Sequence, residues 1–277
     1  MLIIGILATV LLAMFGILYS LLGYNLGFRN HFIERITKEA TDAGMKNESL
    51  LKGRRMYIER EDLRPVRVNL YQPQSGEILP VIFAAHGGNF IDHDADDIDG
   101  FCDRPSKKLN VNIVSISYTK IKPHVTTYPQ EEIRDTIMYF RKHSREYNMD
   151  MKRFLTMGFE AGAYLMLNAE LAVIQKGAVP YGTIMFDPFL DYVAVSLAQA
   201  GRHPGPVALV LSGRENDEAD RYEFELRQAG IEVRTRRIPD MDPAVLLSGE
   251  AADETERLSL ENFRKWMEET VNLFLYR

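Results

Sequence analysis

The chain has 277 residues, of which 46% are hydrophobic and 26% are charged, and its formal net charge is −6 at pH 7. This composition excludes an intrinsically disordered chain, and the single cysteine, Cys102, excludes both an intramolecular disulfide and a cysteine-based zinc site. The acidic balance, 39 Asp and Glu against 33 Lys and Arg, argues against nucleic acid as a partner.

The first 28 residues form a charge-free apolar stretch that ends before Arg29. It is longer than the roughly 20 residues that cross a bilayer, and Tyr19 and Tyr24 lie near its C-terminal end, where interfacial aromatic residues are common. A cleavable signal peptide fits less well because no basic segment precedes the long apolar run. A buried globular helix is the other alternative. We predict a transmembrane anchor at 1–28 and therefore a single-pass membrane protein.

Basic residues follow the apolar stretch and none precedes it. Arg29, Arg35 and Lys38 therefore favour a cytoplasmic position for the large domain under the positive-inside rule. The polar residues 29–55 predict a juxtamembrane helix and linker. Residues 56–277 are long enough for one α/β domain.

Short apolar strand patterns alternate with helical patterns through this domain. The strand patterns lie at 65–71, 80–85, 111–118, 154–158, 183–186 and 207–211, and the helical patterns at 133–140, 161–174, 222–229 and 255–275. Strands that are apolar on both faces are typical of a parallel sheet covered by helices. We therefore predict a three-layer α/β/α sandwich with a mostly parallel sheet. The residues of the last helix that we expect to face inward are Leu258, Phe263, Trp266, Val271 and Phe274.

Turns at the ends of three predicted strands carry motifs in a particular order. His86-Gly87-Gly88 follows one strand, Gly158-Phe159-Glu160-Ala161-Gly162 joins another to a buried helix, and Phe186-Asp187-Pro188 follows a third. On these motifs the chain resembles the hormone-sensitive-lipase-like esterases of the α/β-hydrolase superfamily over roughly residues 65–275. The resemblance implies an α/β-hydrolase fold and a serine nucleophile at the centre of G-x-S-x-G. It also implies an Asp and a His that complete the triad, an oxyanion hole of backbone amides, and no cofactor.

Two departures from that family concern the cap and the triad. Only a short connection lies between Asp191 and Pro206, so we predict that the cap domain is reduced or absent. The nucleophile position holds Glu160, the acid position holds Asn216, and the histidine position holds Pro243.

These replacements favour a protein without esterase activity. Hydrolysis of a covalent intermediate requires a general base, and no histidine follows His203 in the sequence. We predict a catalytically inactive binding or scaffold protein. The alternative is an active carboxylic-ester hydrolase or deacylase whose rearranged site uses Glu160, with His203 as a displaced base.

The oxyanion-hole positions are better preserved than the triad. Gly87, Gly88 and Ala161 match them, and their amides could form an anion-binding nest. Because backbone amides favour the charged form of a carboxyl group, we expect the Glu160 carboxylate to occupy this nest itself.

The loop at 92–103, called the acidic loop below, is rich in aspartate. Alternating aspartates resemble the start of a calcium loop, and the weak metal candidates are Asp92, Asp94 and Asp96. Position six of such a loop holds Asp97 instead of glycine, and position twelve holds Asp103 instead of glutamate. We therefore predict no metal site. The acidic loop is either a solvated face or a surface for a protein partner, and the sequence does not fix the oligomeric state.

Overall fold

The computed structural model describes residues 12–14, 45–121, 126–190, 205–212, 217–238, 243–248 and 251–276. Most of the predicted anchor at 1–28 and of the predicted linker at 29–55 lies outside these residues, as does the connection at 191–204 where the cap was expected to be reduced. Within the anchor, residues 12–14 are helical, and Leu12 and Met14 are exposed. None of the helices in the described parts of the chain is long and apolar enough to cross a membrane.

An eight-stranded sheet lies at the centre of the described domain. Its strands in chain order are β1 (Arg54–Arg60), β2 (Leu63–Tyr71), β3 (Leu79–Ala85), β4 (Asn112–Ser117), β5 (Met149–Phe159), β6 (Gly182–Phe186), β7 (Val207–Ser212) and β8 (Val233–Ile238). Their spatial order is β1-β2-β4-β3-β5-β6-β7-β8. Strand β2 is antiparallel to both β1 and β4, and all other neighbours are parallel.

Helices cover both faces of this sheet. They are α1 (Asp99–Leu109), α2 (Tyr128–Lys142), α3 (Ala161–Gln175), α4 (Asp217–Gln228), α5 (Pro243–Ser248) and α6 (Glu254–Leu275), preceded by a short 3-10 helix at Glu48–Leu50. Side chains alternate across the pleat, so Ile82 of β3 joins the core beneath α1, α5 and α6, and its neighbour Phe83 joins the core beneath α2 and α3. The predicted three-layer sandwich with a mostly parallel sheet is confirmed.

The described elements without a sequence prediction are β1, β8, α1, α5 and the 3-10 helix. Strands β1 and β8 are the two edges of the sheet and carry several arginines, and α1 contains Pro105. The linker predicted at 29–55 extends over the first two residues of β1. In α6, Phe263, Val271 and Phe274 are buried as expected, and Trp266 is half-buried. The expectation for Leu258 is wrong, because this residue near the start of α6 is 49% exposed.

A buried carboxyl group links α3 to the sheet. Glu170 is 2% exposed, and its Oε1 accepts hydrogen bonds from the hydroxyls of Thr156 on β5 and Thr183 on β6, the latter at 3.0 Å. Burial raises the pKa of Glu170 to about 7, although the two hydroxyl groups act in the opposite direction.

We predict that Glu170→Gln removes a pH-dependent loss of stability. Between pH 4.5 and about 7 the unfolded chain releases the Glu170 proton while the native chain keeps it, so native stability falls as the pH rises through this range. The variant should therefore gain stability relative to the wild type from pH 5 to 8, by roughly 3 kcal/mol at most. Chemical unfolding of the full chain at several pH values measures this difference. Glu269→Gln, at an exposed position of α6, is the control, and parallel curves for wild type and Glu170→Gln would contradict the prediction.

Candidate functional site

A sharp turn joins β5 to α3, and Glu160 is the one residue between them. Its backbone has φ 46° and ψ −113°, which is rare for a residue with a side chain. The amide of Glu160 donates to the carbonyl oxygen of Phe186 at 2.8 Å, and its carbonyl accepts from the amide of Ala163 at 3.1 Å. The end of β6 and the first turn of α3 therefore hold this strained residue in place.

Two glycines make this turn possible. A Cβ atom on Gly158 would lie 2.3 Å from the Cα of Ala163, and one on Gly162 would lie 2.1 Å from the carbonyl oxygen of His86. Both distances are far below van der Waals contact. The glycines of the predicted elbow therefore allow α3 to begin directly against the His86-Gly87-Gly88 turn.

The Glu160 carboxylate faces the turn that corresponds to an oxyanion hole. The amide of Gly88 donates to Glu160 Oε2 at 3.1 Å, and a Cβ atom on Gly87 would lie 2.9 Å from the same oxygen. Gly88 has a φ of 99°, and a Cβ there would lie 2.1 Å from the carbonyl oxygen of Asp92. Ala161, the third predicted oxyanion position, is the buried first residue of α3. The structure thus brings Gly87, Gly88, Glu160 and Ala161 together.

The buried side chain of His86 stabilises the His86-Gly87-Gly88 turn. Its ring is fully buried and stacks on Tyr118, with the ring centroids 4.1 Å apart. Its Nδ1 donates to the carbonyl of Gly87 at 2.8 Å, and the Tyr118 hydroxyl donates to the carbonyl of His86 at 2.9 Å. Burial lowers the pKa of His86 to about 3, so the ring is neutral at pH 7. These contacts fit a structural role for His86.

A small cavity of about 40 Å³ lies beside Glu160. His93 and Asp97 also line it, and His93 Nδ1 lies 3.4 Å from Asp97 Oδ2. His93 is not among the site residues predicted from the sequence. The sequence feature that could have identified His93 is its position after the His-Gly-Gly turn and four residues before Asp97.

Asp187 is a second carboxylate in this cavity, and it is not among the site residues predicted from the sequence. It accepts a hydrogen bond from the Ser212 amide at 2.8 Å and another from the Ser212 hydroxyl. Burial raises the pKa of Asp187, and the nearby charge of Glu160 raises it further. Asp187 therefore joins the ends of β6 and β7 at the site.

The other two triad positions are not brought to Glu160 by any described side-chain contact. Asn216, at the acid position, lies outside the described residues, and so does His203. Pro243, at the histidine position, begins α5, and only its backbone is described. Leu246 and Leu247 of the same helix line the small cavity, so α5 lies beside the site.

The acidic loop is largely internal. Asp94 and Asp96 are buried, and the Arg67 guanidinium on β2 pairs with both of them, 3.2 Å from Asp96. Arg55 also contacts Asp96 at 2.6 Å. These pairs tie the loop that follows the Gly turn to the antiparallel edge of the sheet.

Asp99, at the start of α1, is buried in the same way. Its carboxylate accepts from the Tyr71 hydroxyl at 2.9 Å and from the amides of Lys52 and Gly53, each at 3.1 Å. Arginines and backbone donors thus engage the carboxylates of Asp94, Asp96 and Asp99. Within the described ranges, no cluster of three or more His, Cys, Asp or Glu could hold a metal ion.

Comparisons with known proteins find similarity to esterases. A family model described as BD-FAE matches residues 68–178. An esterase from Gibberella moniliformis is 24% identical over 106 residues, a match that covers 37% of this chain and 33% of that protein. The match therefore spans about a third of the relative's length.

Solved esterase structures share the fold over almost the whole chain. A bacterial heroin esterase aligns with a TM-score of 0.68 at 17% identity, covering 92% of this chain and 93% of its own. The esterase LipW from Mycobacterium marinum aligns with a TM-score of 0.68 at 16% identity, covering 90% and 89%. The chain therefore has the α/β-hydrolase fold of these esterases. The sharp turn at Glu160 has the strand-turn-helix arrangement that carries the nucleophile in G-x-S-x-G members of that fold.

We predict that Arg67→Met strongly destabilises the domain. The substitution leaves the buried carboxylates of Asp94 and Asp96 without their main cationic partner, which typically costs about 3–5 kcal/mol. Chemical unfolding of the full chain measures the loss. Arg257→Met is the control, because Arg257 forms only exposed ion pairs on α6, and such pairs contribute about 1 kcal/mol or less. Equal effects of the two substitutions would contradict this account of the acidic loop.

Proposed function

We propose that this protein is a catalytically inactive, carboxylesterase-like α/β-hydrolase that acts as a binding or scaffold protein. The observation that carries the proposal is the 3.1 Å hydrogen bond from the Gly88 amide to Glu160 Oε2. An oxyanion hole works by offering N–H donors to negative charge that develops in the transition state. A resident carboxylate takes this donor and repels that charge.

The replaced triad supports the same proposal. Glu160 cannot act as the serine nucleophile, and Asn216 and Pro243 cannot supply the usual acid and base. If Glu160 attacked an ester carbonyl, the alcohol would leave and a mixed anhydride would form on the Glu160 carboxylate. Water would then have to cleave that anhydride with the help of a general base.

A second candidate function is hydrolysis of carboxylic esters by that two-step route. One observation favours it: His93, paired with Asp97, lines the same small cavity as Glu160. In this version His93 takes a proton from the water that attacks the anhydride, and hydrolysis regenerates the Glu160 carboxylate.

We expect the full chain to hydrolyse p-nitrophenyl acetate and p-nitrophenyl butyrate no faster than buffer alone. Glu160→Ser should also remain inactive, because it restores the hydroxyl without a triad acid or base. Release of p-nitrophenol, followed for wild type, Glu160→Ser, Glu160→Gln and His93→Ala, decides between the two candidates. Wild-type turnover that disappears in both Glu160→Gln and His93→Ala, but persists in the control Glu269→Gln, would overturn the first proposal and support the second.

Exposed apolar side chains near the site support a binding role. Ile91 is 55% exposed and Phe189 is 39% exposed. Exposed apolar groups of this kind often mark protein interaction sites. Of the acidic loop, Asp92 is exposed and Asp97 is partly exposed, so a protein partner at this face would meet mainly apolar groups with a few acidic ones.

We further propose that residues 1–28 anchor the protein in a membrane and that the large domain faces the cytoplasm. The support is the charge-free length of this stretch and the basic residues that follow it.

We expect the full chain to remain in the membrane pellet after alkaline carbonate extraction. Arginine at the centre of a membrane span costs roughly 2.5–3.5 kcal/mol per residue, so the double variant Leu11→Arg/Phe15→Arg should move the protein to the supernatant. The control is Leu11→Ile/Phe15→Leu, which keeps the stretch apolar. Extraction of the wild type, or retention of the arginine variant in the pellet, would contradict the anchor.

A further inference from the structure

A second and larger cavity, of about 280 Å³, lies between the sheet and helices α1, α5 and α6. Its floor is formed by Ile82, Ile113 and Met157 from three adjacent strands, and Phe263 and Val271 of α6 form part of its wall. All five side chains are at least 98% buried, so the interior of the cavity is apolar. Its volume is just below the range of about 300–1,000 Å³ that is typical of small-molecule sites.

Three basic side chains line the same cavity. Lys52 and Arg104 are exposed, and Arg264 of α6 is partly buried. Arg104 and Arg264 line the same cavity. Burial lowers the pKa of Arg264 and the charge of Arg104 lowers it further, whereas Glu261 and Glu268 act in the opposite direction. Two neighbouring guanidinium groups next to an apolar interior favour an anionic group between them.

The acidic residues at this cavity are already paired. Asp103 lies 2.7 Å from the ammonium group of Lys107, and Glu268 lies 2.8 Å from that of Lys108. Glu268 also acts on Arg264. Three basic and two acidic side chains line the cavity, so basic charge is in excess among its lining residues.

The larger cavity is distinct from the small cavity beside Glu160. Leu246 of α5 lines both and separates them. Glu160, His93 and the Gly87–Gly88 turn line only the small one. Binding in the larger cavity therefore does not depend on whether Glu160 has any catalytic role.

We propose that the larger cavity binds an anionic amphiphile with a medium-length hydrocarbon chain, of the fatty-acid type. The hydrocarbon chain of the ligand fills the space lined by Ile113, Met157 and Val271, and its own apolar surface is removed from water there. The carboxylate lies at Arg104 and Arg264, with Lys52 nearby. This arrangement satisfies both halves of the ligand, and it disfavours a neutral alcohol and a cationic amphiphile of equal length.

Equilibrium dialysis of the full chain against radiolabelled decanoate tests this inference. We expect saturable binding of one decanoate per chain, with decanol and decyltrimethylammonium competing at least tenfold more weakly. Val271→Trp fills the apolar wall and should abolish binding. Arg104→Gln/Arg264→Gln removes the charges and should weaken decanoate binding at least tenfold without changing decanol binding. Arg257→Gln, on the same helix but away from the cavity, is the matched control and should bind decanoate as the wild type does.

Several results would overturn the inference. They are the absence of saturable decanoate binding, equal competition by decanol and decanoate, and undiminished binding by the double arginine variant. Circular dichroism checks that each variant is folded. If Val271→Trp fails to fold, the double arginine variant and the series of head groups decide the outcome, because Arg104 is exposed and its replacement removes no core contact.

Discussion

The close approach of α3 to the turn after β3 determines what position 160 can do. The first turn of α3 lies against the carbonyl group of His86, and only glycine at position 162 allows this contact. The chain must therefore reverse its direction within one residue, Glu160, between β5 and α3. Glu160 therefore takes a left-handed backbone conformation, and its side chain extends to Gly88. A serine hydroxyl at this position would be shorter and would leave the Gly88 amide available to substrate. In the inactive protein that we propose, glutamate at this position replaces the nucleophile and also accepts from the Gly88 amide, within a fold that aligns with solved esterases.

The buried ion pairs of Arg67 hold the other half of the site. The loop after Gly88 carries His93 and Asp97 to the small cavity, and its path is set by Asp94 and Asp96, which pair with Arg67. Paired, buried carboxylates contribute little attraction to an external cation or basic surface. The aspartates of this loop therefore serve mainly the internal structure, and Ile91 and Phe189 expose apolar surface near the site.

The central sheet and the elbow could be predicted from sequence because their signals are local. Long apolar runs predict β3, β5 and α3, and the glycines on both sides of Glu160 predict a strand-to-helix turn. The edge strands β1 and β8 could not be predicted because half-exposed arginines interrupt their apolar pattern. The pairing of Arg67 with Asp94 spans 27 residues, and the approach of His93 to Glu160 depends on that pairing, so neither follows from a local pattern. The larger cavity is likewise formed by residues from three strands and three helices.

The contact between Glu160 and Gly88 is open to direct observation. The amide resonances of the full chain labelled with ¹⁵N-glycine are measured by NMR. The chemical shift of an amide that donates to a carboxylate changes when that carboxylate takes up a proton. The account predicts that the Gly88 resonance moves as the wild type is acidified and that this movement is absent in Glu160→Gln. A Gly88 resonance that does not respond in the wild type, or that moves equally in Glu160→Gln, would contradict the claim that Glu160 occupies the oxyanion position.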